Sequence, residues 1–457
     1  MVTSTPFKSF YDVHKWLSRF INLESGHTQV IFGLERIKAL AAMAGHPEKC
    51  APSFHMAGSK GKGSVTGMIA AILGVSGKKI TRYTSPHVYD FRERLFLGNG
   101  FFPEEIYVDA GKELLGLADN FILTNREEPS FFELLTLWFF LCSRKANCDI
   151  MVVETGLGGR LDATNILDPL VSVITPIELE HTEVLGNTIA AIAGEKAGII
   201  KPGKPLVLSR QKPEALEVFQ EHASRKKSQL FYFPDWAELK DVSVSKKGTS
   251  FSLVLKNPGK EGLITASFPD LFIPMPGEVQ AENAGLAVLA IKTIFPDFSE
   301  EKIREGLAGF TLPARFERIC DSPQVVIDGA HTGQSIKLCL NTFSSLYGDG
   351  GILIFGCGAE KNVQAMAELC VPRFSKIIIT TPGTFKKSFP EKIYSIFEEL
   401  GSKINERLEL FFIPDTKEAV DKALSIAMAT GLPILGAGSF YLASEIRSFI
   451  KPGGAGP

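Results

Sequence analysis

The chain has 457 residues, too many for one ordinary core, so two or three domains are expected. Its 49 Lys plus Arg against 51 Asp plus Glu give a formal net charge of −2, with 45% apolar and 22% charged residues. This balance argues against nucleic acid or a membrane as main partner, and no uncharged apolar run reaches membrane-spanning length. The seven cysteines form no CxxC pair and read as reduced, buried thiols, and Met1 to Lys8 lack a basic-then-apolar leader pattern. A cytoplasmic monomer is expected.

In chain order, an amphipathic segment from Phe10 to Phe20 precedes a strand over Ser53–Ala57. That strand runs into Gly58-Ser59-Lys60-Gly61-Lys62-Gly63-Ser64 and an apolar helix containing Met68 to Leu73. Glycines at a strand-to-helix turn let backbone N–H groups converge on phosphate oxygens. Lys62 adds a mobile cation and Ser64 a hydroxyl where Mg²⁺ would sit, although Gly63 separates them where the usual P-loop has Lys directly before Ser or Thr. A strand over Ile80–Tyr83 ends on Thr84-Ser85-Pro86-His87. Phe131 and Phe132, inside Ser130 to Glu133, read either as core or as holders of a flat heterocycle.

The strand Asp149–Glu154 ends on a carboxylate and leads into Thr155 to Asn165; beside a phosphate loop such a carboxylate is a candidate Mg²⁺ ligand. After the strand Val171–Ile174, His181 stands among Glu178, Glu180 and Glu183, as a metal ligand or a salt-bridged surface histidine. Helical spacing puts Lys196 on the apolar face shared by Ile192 and Ile199. Desolvation lowers a lysine's pKa, and the neutral amine can capture CO₂ as a metal-binding carbamate; a snorkelling lysine is the plainer alternative. A strand over Pro205–Leu208 closes this series.

From Phe231 to Pro274 short alternating runs predict a small antiparallel insertion, followed by helices over Gln280 to Ile294 and Glu300 to Gly309. Beyond Leu312-Pro313-Ala314-Arg315 a second βα series is expected, with strands at Gln324–Asp328, Gly351–Phe355, Lys376–Thr380, Leu408–Ile413 and Pro433–Gly436. The Gly- and Pro-rich tail Lys451 to Pro457 is expected to be disordered. The predicted fold is α/β. Residues 1–311 form a P-loop-type ATPase domain with a mainly parallel sheet and the antiparallel insertion, and 312–457 a Rossmann-like domain.

Taken in order, several motifs resemble the folylpolyglutamate synthase and dihydrofolate synthase family of the Mur ligase superfamily. They are Gly58-x-x-Gly61-Lys62-Gly63-Ser64, Thr84-Ser85-Pro86-His87, the block Glu154 to Asn165, His181-Thr182-x-x-Leu185-Gly186, Glu195 to Ile199, Glu282-Asn283-Ala284, Arg315-Phe316-Glu317, Asp328-Gly329-Ala330-His331 and Gly438-Ser439-x-Tyr441-Leu442. The resemblance implies that Gly61, Lys62, Gly63 and Ser64 hold the triphosphate, with Asn283, Arg315 and Asp328 on ATP from the domain interface. It implies Ser64, Ser85, Glu154 and His181 as ligands of Mg²⁺, with Lys196 carbamylated and supporting a second Mg²⁺. Gly33, Leu34, Glu35, Arg36, Ser130, Phe131, Phe132, Glu133, Leu161, Asp162 and Ala163 match folate or pteroate contacts, and His331 and Ser439 the site of the incoming L-glutamate; Lys62, Lys196 and His331 would act in catalysis.

The implied reaction is ATP-dependent addition of L-glutamate to a folate, and to dihydropteroate if the chain is bifunctional, through an acyl phosphate. A Mur-type ligase on another carboxylate is disfavoured by the missing N-terminal UDP-binding domain, and a non-catalytic nucleotide-binding regulator by the intact Lys62, Ser64, Glu154, His181 and Lys196. Three positions depart from the family pattern: Glu180 for Asp, Thr332 for Asn and Asn362 for Asp.

Overall fold

The strands that end on the chemistry-bearing motifs lie side by side in one sheet. A computed structural model describes residues 7–22, 33–259, 264–383 and 387–450; the tail after Ile450 lies outside them. Among the described residues, β1 (Ser53–Ala57), β2 (Ile80–Tyr83), β3 (Leu95–Leu97), β4 (Gly100–Phe101), β5 (Ile150–Glu154), β6 (Val171–Ile174), β7 (Leu206–Leu208) and β8 (Leu230–Tyr232) form a sheet in the order β4-β3-β2-β5-β1-β6-β7-β8. The strands from β2 to β8 in that order are parallel, and at one edge β3 runs antiparallel to both β2 and β4. Every residue of β1, β5 and β6 is buried, as strands covered by helices on both faces require. The register pairs Met56 with Glu154 and Ala57 with Ile174, so the Gly58 loop, Glu154 and Thr175 emerge together at the carboxyl edge.

β9 (Ala237–Ser245), β10 (Gly248–Lys256) and β11 (Ile264–Ile273) make the antiparallel sheet. Its buried Phe251, Leu253 and Leu271 share one core with the Lys62–Gly74 and Glu278–Ile294 helices. Contrary to expectation, Phe231 does not open this sheet; it sits in β8, the last parallel strand, and the short helix Phe233–Trp236 separates the two. A three-residue Leu-Phe-Tyr strand has the same texture in either sheet.

The second half holds β12 (Glu317–Asp321), β13 (Gln324–Ile327), β14 (Gly351–Phe355), β15 (Phe374–Ile379), β16 (Glu409–Phe412) and β17 (Ile434–Ala437), ordered β12-β13-β17-β14-β15-β16. All pairs are parallel except β12 with β13. Strands β3, β4 and β12, at or next to a sheet edge, gave no sequence signal, because two are very short and β12 carries Glu317, Arg318 and Asp321. Among the described residues, no helix is long and apolar enough to cross a membrane.

The helix after the phosphate loop is buried on all sides from Ser64 to Leu73, so its packing sets where the loop points. Helix Glu300–Ala308 approaches it so closely that a Cβ on Gly306 would lie 2.4 Å from Ile72 Cα. Because that neighbour is backbone, it cannot rotate away. Gly306→Val should lower stability by about 2 kcal/mol, read as a lower urea midpoint; an unchanged midpoint would contradict this contact.

Candidate active site

The phosphate loop leaves β1 through Gly58 (φ +143°), where a Cβ would sit 1.9 Å from Thr175 Oγ1. Gly61 (φ +85°) precedes the first turn of the Lys62–Gly74 helix, and a Cβ there would lie 2.6 Å from Asn283 Oδ1. Both positions therefore need glycine, for space and for backbone conformation. Lys62 Nζ donates to the Gly58 carbonyl at 3.0 Å, and Lys196 Nζ donates to the same oxygen at 2.7 Å. Lys60 Nζ is a third cation, 3.8 Å from Glu180 Oε2.

Glu180 is the counter-charge to this group, accepting from Lys196 Nζ at 3.2 Å. Burial alone would raise its pKa, but Lys62, Lys196 and Lys60 outweigh that and hold it at about 2. Lys196 is 2% exposed, and burial first, then Lys62, lowers its pKa to about 8. Three ammonium groups around one carboxylate leave an excess of positive charge at the end of the parallel sheet. That excess suits a polyanion.

Glu154 closes the other side. It is 2% exposed, and its Oε2 accepts from the Ser85 backbone N–H at 3.3 Å. Burial pushes its pKa up to about 7 against the pull of Lys62, the Ser85 N–H, Arg315 and Arg82. Arg82, absent from the sequence reading, lies with its guanidinium 4.0 Å from the Phe96 ring centroid. Ser64 is buried on the first turn of the same loop helix. His181 (φ +48°) is half exposed, 3.9 Å from Glu183 Oε1, and burial lowers its pKa although Glu180 opposes this. Burial thus favours the neutral ring, the form that ligates a metal. Among the described residues, no three His, Cys, Asp or Glu side chains converge on a metal position. The donors fit Mg²⁺, which is held by one or two carboxylates while phosphates and water fill its remaining positions.

The second domain brings Arg315, Asp328, His331 and Ser439. Arg315 is flanked by Ala314 (φ +51°) and Phe316 (φ +48°), and its guanidinium lies 4.3 Å from the Phe440 ring centroid. Asp328 accepts from the N–H groups of Phe316 and Ala330, each at 2.7 Å, so it shapes the Arg315 turn as well as facing its charge. His331 Nδ1 lies 2.7 Å from the Gly329 carbonyl, which assigns the proton to Nδ1 and leaves Nε2 as an acceptor. Burial, with Lys60 and Lys361, lowers its pKa to about 3. Ser439 Oγ accepts from the Tyr441 N–H at 3.1 Å.

Two of the three departures have a local explanation. Thr332 Oγ1 caps the Gly333–Tyr347 helix, and Asn362 Oδ1 caps Val363–Cys370. Thr, Asn and Asp are all good N-caps, so the backbone at these positions keeps its support.

The expected folate positions gather on the opposite side of β5. Leu34 and Gly33 lead into helix Glu35–Met43, whose Arg36 bonds both oxygens of Glu133 at 3.1 Å. Ser130 and Glu133 form a capping box on helix Phe131–Lys145. Phe131 is 2% exposed, in the apolar core, whereas the half-buried Phe132 ring stands 6.0 Å from Tyr83. Asp162 is buried, caps the Ala163–Ile166 turn and accepts from the Leu157 N–H at 2.8 Å; Leu161 just before it is half-buried. These polar groups therefore brace one another.

A cavity lined by Lys60, Gly61, Arg210, Phe233, Asn283 and Leu286 adjoins the phosphate loop. Sequence reasoning found only Gly61 and Asn283 of these, because Arg210, Phe233 and Leu286 come from three separate elements with no shared motif.

Family models match the chain in both halves: the Mur ligase middle domain over residues 104–291 and the Mur ligase glutamate ligase domain over 314–440. Fold and phosphate loop thus define a Mur-type ligase. The chain is 33% identical over 431 residues to the folylpolyglutamate synthase of Lacticaseibacillus casei, spanning 92% of this chain and 94% of that protein. It is 29% identical to the dihydrofolate synthase/folylpolyglutamate synthase of Bacillus subtilis, spanning 97% and 100%. The folylpolyglutamate synthase of Mycobacterium tuberculosis, solved with ADP and AMPPCP, superposes with a TM-score of 0.86 at 27% identity, covering 98% of this chain and 99% of that one. The chain belongs to the folylpolyglutamate synthase family.

Glu154 makes stability depend on pH. The folded state holds its proton to about pH 7, whereas the unfolded chain releases it near the ordinary carboxylate value. Between those limits the folded state binds more protons, so this group's contribution falls as pH rises. In urea unfolding of the ligand-free protein from about pH 5 to about pH 8, Glu154→Gln should remove about 1–3 kcal/mol of that fall. An equal fall in both proteins would contradict the assignment.

Proposed function

We propose that this chain is an ATP-dependent ligase that adds L-glutamate to a folate such as tetrahydrofolate. The observation that carries this reading is the convergence of Lys62 and Lys196 on one carbonyl oxygen, opposite the buried Glu154. Phosphoryl transfer needs fixed positive charge around the moving phosphoryl group; Lys62 would supply it directly, and Lys196, once carbamylated, through the metal ion it holds. A solved relative described as an FPGS-AMPPCP-folate complex, with a TM-score of 0.81, supports the substrate pair. The Bacillus subtilis relative supports testing dihydropteroate as a second acceptor.

In this reading residues 1–311 bind ATP and the folate, and 312–457 supply the amino-acid side. Gly61, Lys62, Gly63 and Ser64 hold the phosphates, while Asn283, Arg315 and Asp328 position the nucleotide. The positions 33–36, 130–133 and 161–163 shape the folate site, and His331 and Ser439 receive L-glutamate. A carboxylate oxygen of the acceptor attacks the γ-phosphorus, and ADP departs from the resulting acyl phosphate. The glutamate amine then attacks the acyl carbon, and inorganic phosphate leaves with the original carboxylate oxygen. Lys62 stays on the transferring group throughout, and the two domains exclude water that would hydrolyse the acyl phosphate.

Ser64, Ser85, Glu154 and His181 would hold Mg²⁺, which when bound neutralises phosphate charge and orients it for in-line attack. A second ion would rest on Lys196 after capture of CO₂. Its lowered pKa leaves a usable fraction of free amine near neutral pH, and the carbamate would turn a cation into an anionic oxygen donor.

With ATP, Mg²⁺, L-glutamate and either tetrahydrofolate or dihydropteroate, phosphate release should require the acceptor and the amino acid together. Release no greater than background with both acceptors would overturn the ligase reading. Lys196→Ala should lower turnover by about a thousandfold or more while ATP still binds. Labelled bicarbonate should give a carbamate carbon signal in the wild type that Lys196→Ala lacks. A signal in neither protein would remove the carbamate from the account.

A further inference from the structure

Glu317 belongs to the Arg315-Phe316-Glu317 run but has no part in the site described above. Its carboxylate is nonetheless a point where the two halves of the molecule meet. Oε2 accepts from the Tyr89 phenol at 2.8 Å and from the Ala314 N–H at 2.9 Å, while Oε1 accepts from Arg447 Nε at 3.1 Å. The Arg447 guanidinium also lies 4.4 Å from the Tyr89 ring centroid. The phenol is therefore held at its tip by a carboxylate and on its face by a cation.

Tyr89 lies on the loop that follows β2 and includes Ser85, whose N–H reaches Glu154. Glu93 stiffens that loop from below, accepting from the N–H groups of Val88, Tyr89 and Asp90 at 2.7, 2.9 and 2.9 Å. Val88 packs onto an apolar cluster of the second domain. On the far side, Glu317 and Asp328 together fasten the backbone of Ala314 and Phe316, the left-handed residues flanking Arg315. Such conformations persist only where surroundings over-determine them. One carboxylate thus links the loop beside Glu154 to the turn that presents Arg315.

We propose that Tyr89 and Glu317 are positioning residues that hold the two domains in register for phosphoryl transfer, acting through Ser85 and Arg315 without touching substrate. This rests on the ligase reading above. Tyr89→Phe keeps the ring over Arg447 and removes only the hydroxyl. In the glutamate-ligation assay its kcat should fall about ten- to a hundredfold, with the KM for ATP within about twofold of wild type and the urea midpoint unchanged. Adding Glu317→Gln to Tyr89→Phe should slow the enzyme no further than the slower single variant, because the two residues act as one contact.

A second readout needs no turnover. X-ray scattering of the ligand-free protein should give a larger radius of gyration for Tyr89→Phe than for wild type. Unchanged kcat, a kcat loss matched by lost stability, multiplying losses in the double variant, or superimposable scattering curves would each overturn the proposal. An inactive wild type whose scattering still responds to Tyr89→Phe would count against the ligase reading and for the domain contact.

Discussion

The carbonyl oxygen of Gly58 accepts hydrogen bonds from both Lys62 and Lys196, and the rest of the site is arranged around keeping those two charges there. Like charges so close repel, and burial removes the water that would screen them. Glu180 relieves part of the repulsion from one side, yet the positive excess remains. The parallel sheet supplies the rigidity: β1, β5 and β6 are buried throughout, and their register fixes Gly58, Glu154 and Thr175 relative to one another. Ligand phosphate would meet charges whose desolvation cost the fold has already met.

Electrostatics divides the site by sign. The loop side carries the lysines, while the β5 side carries a carboxylate that burial pushes to about pH 7. A metal ion or the cation of a bound ligand would restore that carboxylate's charge, so Glu154 and the nucleotide complex reinforce each other. The second domain adds Arg315, held by a turn whose two flanking residues occupy left-handed backbone conformations. Both the turn and the loop that includes Ser85 depend on carboxylates, Glu317, Asp328 and Glu93, that accept backbone N–H groups. Acidic side chains here act as rivets for the backbone more than as free charges.

Much of this was legible in the chain. Strands β1, β2 and β6 fall where their apolar runs end on turn residues, and Lys196 is buried as its spacing beside Ile192 and Ile199 requires. What stayed hidden depends on contacts between distant segments. Strands β3, β4 and β12 are too short or too charged to carry a period-two signal. The cavity beside Gly61 takes Arg210 and Phe233 from segments that carry no motif, and Leu286 from one turn beyond Glu282-Asn283-Ala284. Asp162, expected at the folate, is already occupied in capping Ala163–Ile166, and Arg36 with Glu133 in bracing two helices. A motif locates such residues without telling whether they contact a ligand or support those that do.

The central claim is that the site around Lys62, Lys196 and Glu154 activates a carboxylate by transferring the γ-phosphoryl group of ATP to it. An acceptor labelled with oxygen-18 in its reacting carboxylate tests this most directly, with the released phosphate examined by mass spectrometry. Attack of the carboxylate on the γ-phosphorus predicts that one labelled oxygen appears in each phosphate formed with the amide. Phosphate free of the label, its fourth oxygen taken from solvent, would contradict the acyl-phosphate route.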